Sequence, residues 1–192
     1  MNYVYNKNLA NCTPSKIREF NSLASKLNAK FKLTLGEPDF DTPIEIKDAL
    51  IEAVNQNHTR YAPTVGNKNL REEICKFEKR VNKVSYEPDE VLITTGSTEA
   101  LTAALFTLLN QDDEVIVPIP CYALYEPVIS YCGAKMIPLD TRPDFQISKG
   151  HLEALINNKT KAILLTSPNN PTGTIYDDKT LENIYNIVKD TN

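Results

Sequence analysis

The chain contains no tryptophan and only two histidines, His58 and His151, too far apart in sequence to suggest a metal-binding cluster. Four cysteines are present, Cys12, Cys75, Cys121 and Cys132, and no two of them form a CxxC pair. Zinc and dithiol redox chemistry are therefore unsupported, and reduced thiols are expected. Neither sign of charge dominates: 21 basic against 25 acidic residues leave a net charge of −4. That balance gives no basic field for nucleic acid or an anionic membrane. No run approaches the roughly 20 apolar residues that cross a bilayer. The first residues, MNYVYNKNLANCTPSK, lack the apolar stretch of a secretory leader. A cytoplasmic protein with no membrane partner is the expectation. Internal repeats and low-complexity tracts are missing too, as are the nucleotide fingerprints GxGxxG and GxxxxGK[ST].

What is there is an ordinary globular composition: 192 residues, 41% hydrophobic and 24% charged, enough for one sizeable domain. A helix is predicted over Ser15–Lys30, then a short strand or extended run at Phe31–Leu35. Gly36–Pro43 carries a Gly, two Pro and three acids, which forbids regular structure. Thr42 is placed to cap a helix with Pro43 at its first position, followed by apolar residues at Ile44, Ile46, Ala49, Leu50, Ala53 and Val54. A loop over Arg60–Asn67 leads into a helix from Lys68 to Val81. From Glu90 the pattern alternates. Strands are predicted at Val91–Thr94, Glu114–Pro118, Ala134–Asp140 and Lys161–Ser167. Helices are predicted within Thr95–Leu109 and over Tyr122–Tyr131, His151–Asn157 and Lys179–Asp190. Near-continuous apolar strands alternating with helices mean an α/β fold: a mainly parallel sheet with helices on both faces. Such sheets bind ligands at the carboxyl ends of their strands, so the loops after Thr94, Pro118 and Thr166 are the candidates for chemistry.

Each of these loops has a functional and a plainer reading. In Thr95-Gly96-Ser97-Thr98-Glu99-Ala100 a strand ends, a glycine turns the chain and a helix opens with free N–H groups, the general form of a phosphate site. The plainer reading is a helix capped by Ser97 or Thr98. Ser167-Pro168-Asn169-Asn170-Pro171-Thr172-Gly173 makes a rigid turn with side-chain amides facing out; its plainer reading is a turn that needs Asn and Gly for unusual backbone angles. Tyr122, at the start of a predicted helix, could stack on a flat ligand or simply pack that helix. Gly36-Glu37-Pro38-Asp39-Phe40 and Arg60-Tyr61-Ala62-Pro63 do not read as sites by themselves.

In this order, LGEPDFDTP, RYAPTVGNKNLREEI, VLITTGSTEAL, PIPCYALYEP and LLTSPNNPTG resemble the class I/II aminotransferases, fold-type-I enzymes dependent on pyridoxal 5'-phosphate (PLP). The aspartate/aromatic group is the nearest in look. The resemblance runs from Ser15 to the last helix, and SPNNPTG after an apolar strand is its most specific piece. It implies an amino group moved between an amino acid and a 2-oxo acid in a homodimer. It further implies that Gly96, Ser97 and Thr98 hold the cofactor phosphate, that Tyr122 stacks on the pyridine ring and that Asn170 hydrogen-bonds the ring's phenolic oxygen. Tyr61 is implied to reach the phosphate of the partner subunit, and Gly36, with Asn170, to line the substrate site. A cis bond before Pro171 is implied as well. By the same resemblance, residues 1–35 belong to a small domain or arm, and residues 36–192 to a partial PLP-binding large domain. The lysine that forms the Schiff base is expected beyond Asn192, so that this chain alone holds no catalytic residue. A PLP-dependent lyase of the same fold, a non-catalytic PLP-binding fragment and an unrelated nucleotide-binding domain are the alternatives.

Overall fold

The computed structural model describes residues 16–27, 31, 34 and 36–191. The chain forms two compact units, one from Lys16 to Ala100 and one containing everything from Leu101 onward.

The second unit is built on a sheet of three parallel strands, β1 (Glu114–Ile119), β2 (Lys135–Asp140) and β3 (Thr160–Ile163), in the order β2-β1-β3. Glu114 pairs with Lys135 on one side and Thr160 on the other, with a register shift after Glu114 on the β3 side. A strand flanked on both edges and covered on both faces has no side left for water, which is why β1 can carry three consecutive β-branched residues. Val115, Ile116 and Val117 are at most 1% exposed. Val115 and Val117 face one way, into a cluster with Leu105 of α4 (Gly96–Leu108), Leu109, and Val128 and Ile129 of α5 (Tyr125–Tyr131). Ile116 faces the other way, with Leu139, Ile147, Leu152 of α6 (Lys149–Leu155), Tyr176 and Ile184 of α7 (Asp178–Val188). The parallel sheet with helices on both faces is thus the fold observed. The β3 strand is shorter than the predicted Lys161–Ser167. Beyond Ile163, Leu164 N–H still donates to the Ile116 carbonyl at 2.9 Å, and no further ladder bond follows among the described residues.

In the first unit, α1 (Lys16–Ala24) continues as a turn to Leu27, shorter than predicted; Ser15 and residues 28–30 lie outside the described residues. So do Lys32, Leu33 and Leu35 of the predicted extended run, within which Phe31 has no regular structure and Thr34 lies in a bend. The helix α2 (Ile44–Asn55) begins one position later than expected. Pro43, at ψ 143°, is itself the cap, and no side chain caps the helix, so Thr42 does not have the expected role. An extended Pro43 leaves its carbonyl to receive the N–H groups of Ile46 and Lys47, at 3.1 and 3.3 Å. The helix α3 (Lys68–Val81) has its predicted bounds, with the Asn67 side chain accepting from Leu70 N–H at 3.3 Å. Arg71, 7% exposed, donates from Nη1 to the Pro88 carbonyl at 2.6 Å and so ties α3 to the short 3-10 turn Pro88–Glu90.

Val91–Thr94 corrects the sequence reading: it is not a strand. A strand is defined by a ladder, and among the described residues this segment's cross-chain backbone bond is Ile93 N–H to the Val65 carbonyl, at 3.1 Å. Gly66, next to that bond, has φ +96°, and a Cβ there would collide with the Ile93 side chain. The turn thus requires glycine both for its backbone angle and for the close approach.

Candidate active site

Asn169 and Asn170 follow β3 and point to different surroundings. Asn169 is 7% exposed, and its Nδ2 donates to the Pro120 carbonyl at 3.1 Å. Its backbone closes the turn: its N–H donates to the Thr174 carbonyl at 2.8 Å, and its carbonyl receives Gly173 N–H at 2.7 Å. Asn170 is exposed, and its amide has no partner among the described residues. The bonds before Pro168 and Pro171 are both cis. The sequence reading has both amides facing out; Asn170 does, while Asn169 is turned inward because its Nδ2 is taken by the Pro120 carbonyl.

Tyr122 lies in the turn between β1 and α5, not at the start of the helix as predicted. The helix opens only at Tyr125, whose N–H donates to the Tyr122 carbonyl at 3.1 Å. Pro120, Glu126-Pro127 and the bonds that hold β1's end account for the delay: Pro120 follows a cis bond, and the Ile119 carbonyl is already taken by Thr141, from N–H at 3.1 Å and Oγ1 at 2.9 Å. The Tyr122 ring is 37% exposed and meets the Tyr125 ring edge-on, centroids 5.7 Å apart at 86°. Tyr125, 9% exposed, hydrogen-bonds through its hydroxyl to Thr166 Oγ1 at 2.7 Å. Burial, with a smaller contribution from Tyr125, raises the pKa of the Tyr176 hydroxyl. Burial, and secondarily Glu126, raises that of the Cys121 thiol, so Cys121 is no ready thiolate nucleophile despite its place beside Tyr122. Cys75, Cys121 and Cys132 are free thiols. Sequence reasoning missed Asn169, Tyr125 and Thr166; the signal available for Tyr125 was a second ring one helical turn from Tyr122 in CYALY.

In the Lys16–Ala100 unit, Gly96, Ser97 and Thr98 form the exposed first turn of α4. Gly96 has φ +81°, and the chain could not reverse into the helix here with an ordinary residue at low cost. Thr95 N–H donates to the Glu99 carboxylate, and Thr94 Oγ1 donates to the Gly96 carbonyl at 3.1 Å. Gly36 is exposed, and Tyr61 is fully exposed with no partner among the described residues. The expected site residues are thus divided between the units, Gly36, Tyr61 and Gly96–Thr98 in one and Tyr122 and Asn170 in the other.

Residues 28–192 match the family described as aminotransferase class I and II. This chain belongs to that family. It is 35% identical over 174 residues to aromatic-amino-acid aminotransferase 2 of Thermococcus litoralis, covering 89% of this chain and 45% of that one. It is 33% identical over 186 residues to the aspartate aminotransferase of Bacillus sp. (strain YM-2), covering 94% and 47%. Among solved structures, the aspartate aminotransferase from Thermus thermophilus with maleate superposes with a TM-score of 0.89 at 32% identity, over 96% of this chain and 50% of that one. The chain therefore spans about half the length of the relatives it matches.

The class I and II aminotransferases are generally PLP-dependent, and the local chemistry of this chain fits that cofactor. Thr95 N–H, just before α4, donates to the Glu99 carboxylate, and the exposed start of the helix presents the positive end of its dipole, which favours an anion. The Tyr122 ring has an accessible face, and the Asn170 amide has donors and an acceptor to offer. No helix among the described residues is long and apolar enough to cross a membrane, and those residues hold no group of three or more His, Cys, Asp or Glu that could bind a metal ion.

Proposed function

We propose that this chain supplies the cofactor-binding part of a PLP-dependent aminotransferase that moves an amino group between an amino acid and a 2-oxo acid. The observation that carries the reading is the match over residues 28–192, coupled with a free amide and an accessible ring in the loops that follow two adjacent strands, β3 and β1. PLP, when bound, supplies an electron sink for the bonds at the amino acid's α-carbon. In this assignment the N–H groups and hydroxyls of Gly96, Ser97 and Thr98 bind its phosphate, and Tyr122 lies against its ring. Asn170 donates a hydrogen bond to its phenolic oxygen, which keeps that oxygen ionised, and lines the substrate site together with Gly36. Tyr61, fully exposed and without a partner among the described residues, serves the second subunit of a homodimer. Residues 1–35 are assigned to the small domain or arm and residues 36–192 to the large domain. The segments Pro118–Tyr125 and Thr166–Thr174 contain no lysine, and the reactive lysine is assigned to polypeptide beyond Asn192. Aspartate and aromatic amino acids are the proposed substrates, as the named relatives suggest. A cytoplasmic place in amino-acid biosynthesis completes the reading.

The test is equilibrium dialysis of PLP against the chain, together with mass spectrometry of 2-oxo acids released from a panel of amino acids by the native gene product. Asn170→Ala and Tyr122→Ala are each expected to weaken PLP retention about tenfold, corresponding to the loss of one hydrogen bond or one stacking contact. Retention equal to wild type in both variants would sink the site assignment. Eliminated or decarboxylated products in place of 2-oxo acids would replace the transferase with a lyase.

A further inference from the structure

The two loops proposed to meet the cofactor ring are fastened to each other at two points, and neither fastening residue is among those assigned to the cofactor. On one side of Tyr122, the Pro120 carbonyl receives Asn169 Nδ2 at 3.1 Å. On the other side, Tyr125 Oη and Thr166 Oγ1 lie 2.7 Å apart. Both bonds run from the Tyr122 turn to the segment between β3 and Thr174. Asn169 and Tyr125 are each less than a tenth exposed, so water does not readily replace the bonds they make. Among the described residues, Asn169 Nδ2 is the partner of the Pro120 carbonyl. Tyr125 acts a second time through its ring, which meets Tyr122 edge-on and restricts where the outer ring can lie.

We infer that Asn169 and Tyr125 are positioning residues that brace the Tyr122 turn against the Asn170 loop, fixing the spacing of ring and amide before any cofactor arrives. The inference rests on the proposed cofactor reading for its consequence, but the brace itself is a property of this chain alone. Asn169 sits one residue before the outward amide and three residues after Thr166, so both fastenings lie within four positions of Asn170. A ligand that must touch Tyr122 and Asn170 together gains from loops already held in place, because ordering them on binding would weaken affinity.

The experiment has two readouts on the 192-residue chain. Hydrogen exchange without cofactor follows the amides of 121–125, and equilibrium dialysis with PLP follows affinity. Asn169→Asp puts an acceptor against the Pro120 carbonyl, while Tyr125→Phe and Thr166→Val each remove one end of the second bond and leave shape nearly intact. In each of these variants exchange at 121–125 is expected to rise at least tenfold, and PLP to bind about tenfold more weakly. The Tyr125→Phe/Thr166→Val double variant should be no worse than either single one, because both remove the same bond. Asn169→His, whose Nδ1–H stands the same number of bonds from the backbone as Nδ2, should recover a large part of both losses. Leu152→Val, a core change in the same unit, lowers the melting temperature and should leave both readouts alone. A general loss of stability would lower melting in all of these variants without selective exchange at 121–125, and that result would overturn the brace. Unchanged exchange in both Asn169→Asp and Tyr125→Phe would overturn it as well. Wild-type chain that fails to retain PLP counts against the proposed function, and the exchange data then still decide the brace.

Discussion

Asn169 and Asn170 carry identical side chains and differ only in which way the turn aims them, one into the protein against Pro120 and the other outward. Composition and spacing picked out the pair, and the family resemblance picked out Asn170. The inward role of Asn169 was not legible, because its partner is a carbonyl 49 positions earlier in the chain. Glu99 is a similar case: nothing in the local sequence indicates that its carboxylate occupies the N–H of Thr95. A phosphate at the first turn of α4 would meet that negative charge. Glu99→Gln is expected to tighten PLP or inorganic phosphate binding about threefold to fivefold at low salt, an effect that shrinks as salt screens the charge. Isothermal titration at two salt concentrations checks it, and weaker binding in Glu99→Gln would show that Glu99 helps shape the turn. The Asp140–Arg142 pair predicts a pH response. Hydrogen bonds from Arg142 hold the Asp140 carboxyl at a pKa of about 2. A group depressed in the folded state stabilises fully above its unfolded pKa, near 3.9, and the contribution is lost as pH falls through the folded value. Melting temperature should thus drop between about pH 4 and 2 by a smaller amount in Asp140→Asn than in wild type. Both partners are exposed, so the difference should be small and salt-sensitive.

At the scale of elements, the strands and helices from Glu114 onward were legible because their pattern is strong. The three consecutive β-branched residues of β1 and the Asp177 cap of α7, whose carboxylate accepts Thr180 N–H at 2.7 Å, belong to segments whose bounds came within three residues of prediction. Val91–Thr94 was not legible, because an apolar β-branched run reads as a strand whether or not a neighbour is there to pair with it. The start of α5 was misjudged because two prolines and a pre-committed Ile119 carbonyl override the helical spacing of Tyr122–Tyr131. Two substitutions test how elements are joined. Leu152→Ala empties a fully buried position between α6 and the sheet and should cost about 2–5 kcal/mol. Gly66→Ala adds a Cβ at positive φ against Ile93 and should cost at least about 2 kcal/mol. Urea melts of the two variants report these losses. A neutral Gly66→Ala would mean that the turn holding Ile93 is loose.

At the scale of the whole molecule, much apolar surface is open. No residue of α2 is buried, and Ile44, Ile46, Leu50 and Val54 are each more than half exposed. Beside β3 a groove of about 510 Å³ has an apolar wall of Ile156, Ala162, Ile163, Leu165, Ile184 and Val188 and a polar rim that includes Asn157, Asn158 and Lys161. Surfaces of this kind rarely stay in water on a monomer. The 192-residue chain is expected to self-associate as its concentration rises, with sedimentation velocity as the measure. A single monomeric species throughout, melting cooperatively, would contradict that. The α2 stripe was legible as a pattern, but its exposure was not, since periodicity says which residues share a face and nothing about what covers it.

The position of β1 bears on how the molecule is made. It is the first strand of this sheet to leave the ribosome and also the middle one, with β2 and then β3 arriving on its two sides. Each later strand therefore finds an edge already waiting, after a short excursion through one helix or two. The sheet can grow outward in the order of synthesis, without an earlier strand having to be prised apart to admit a later one.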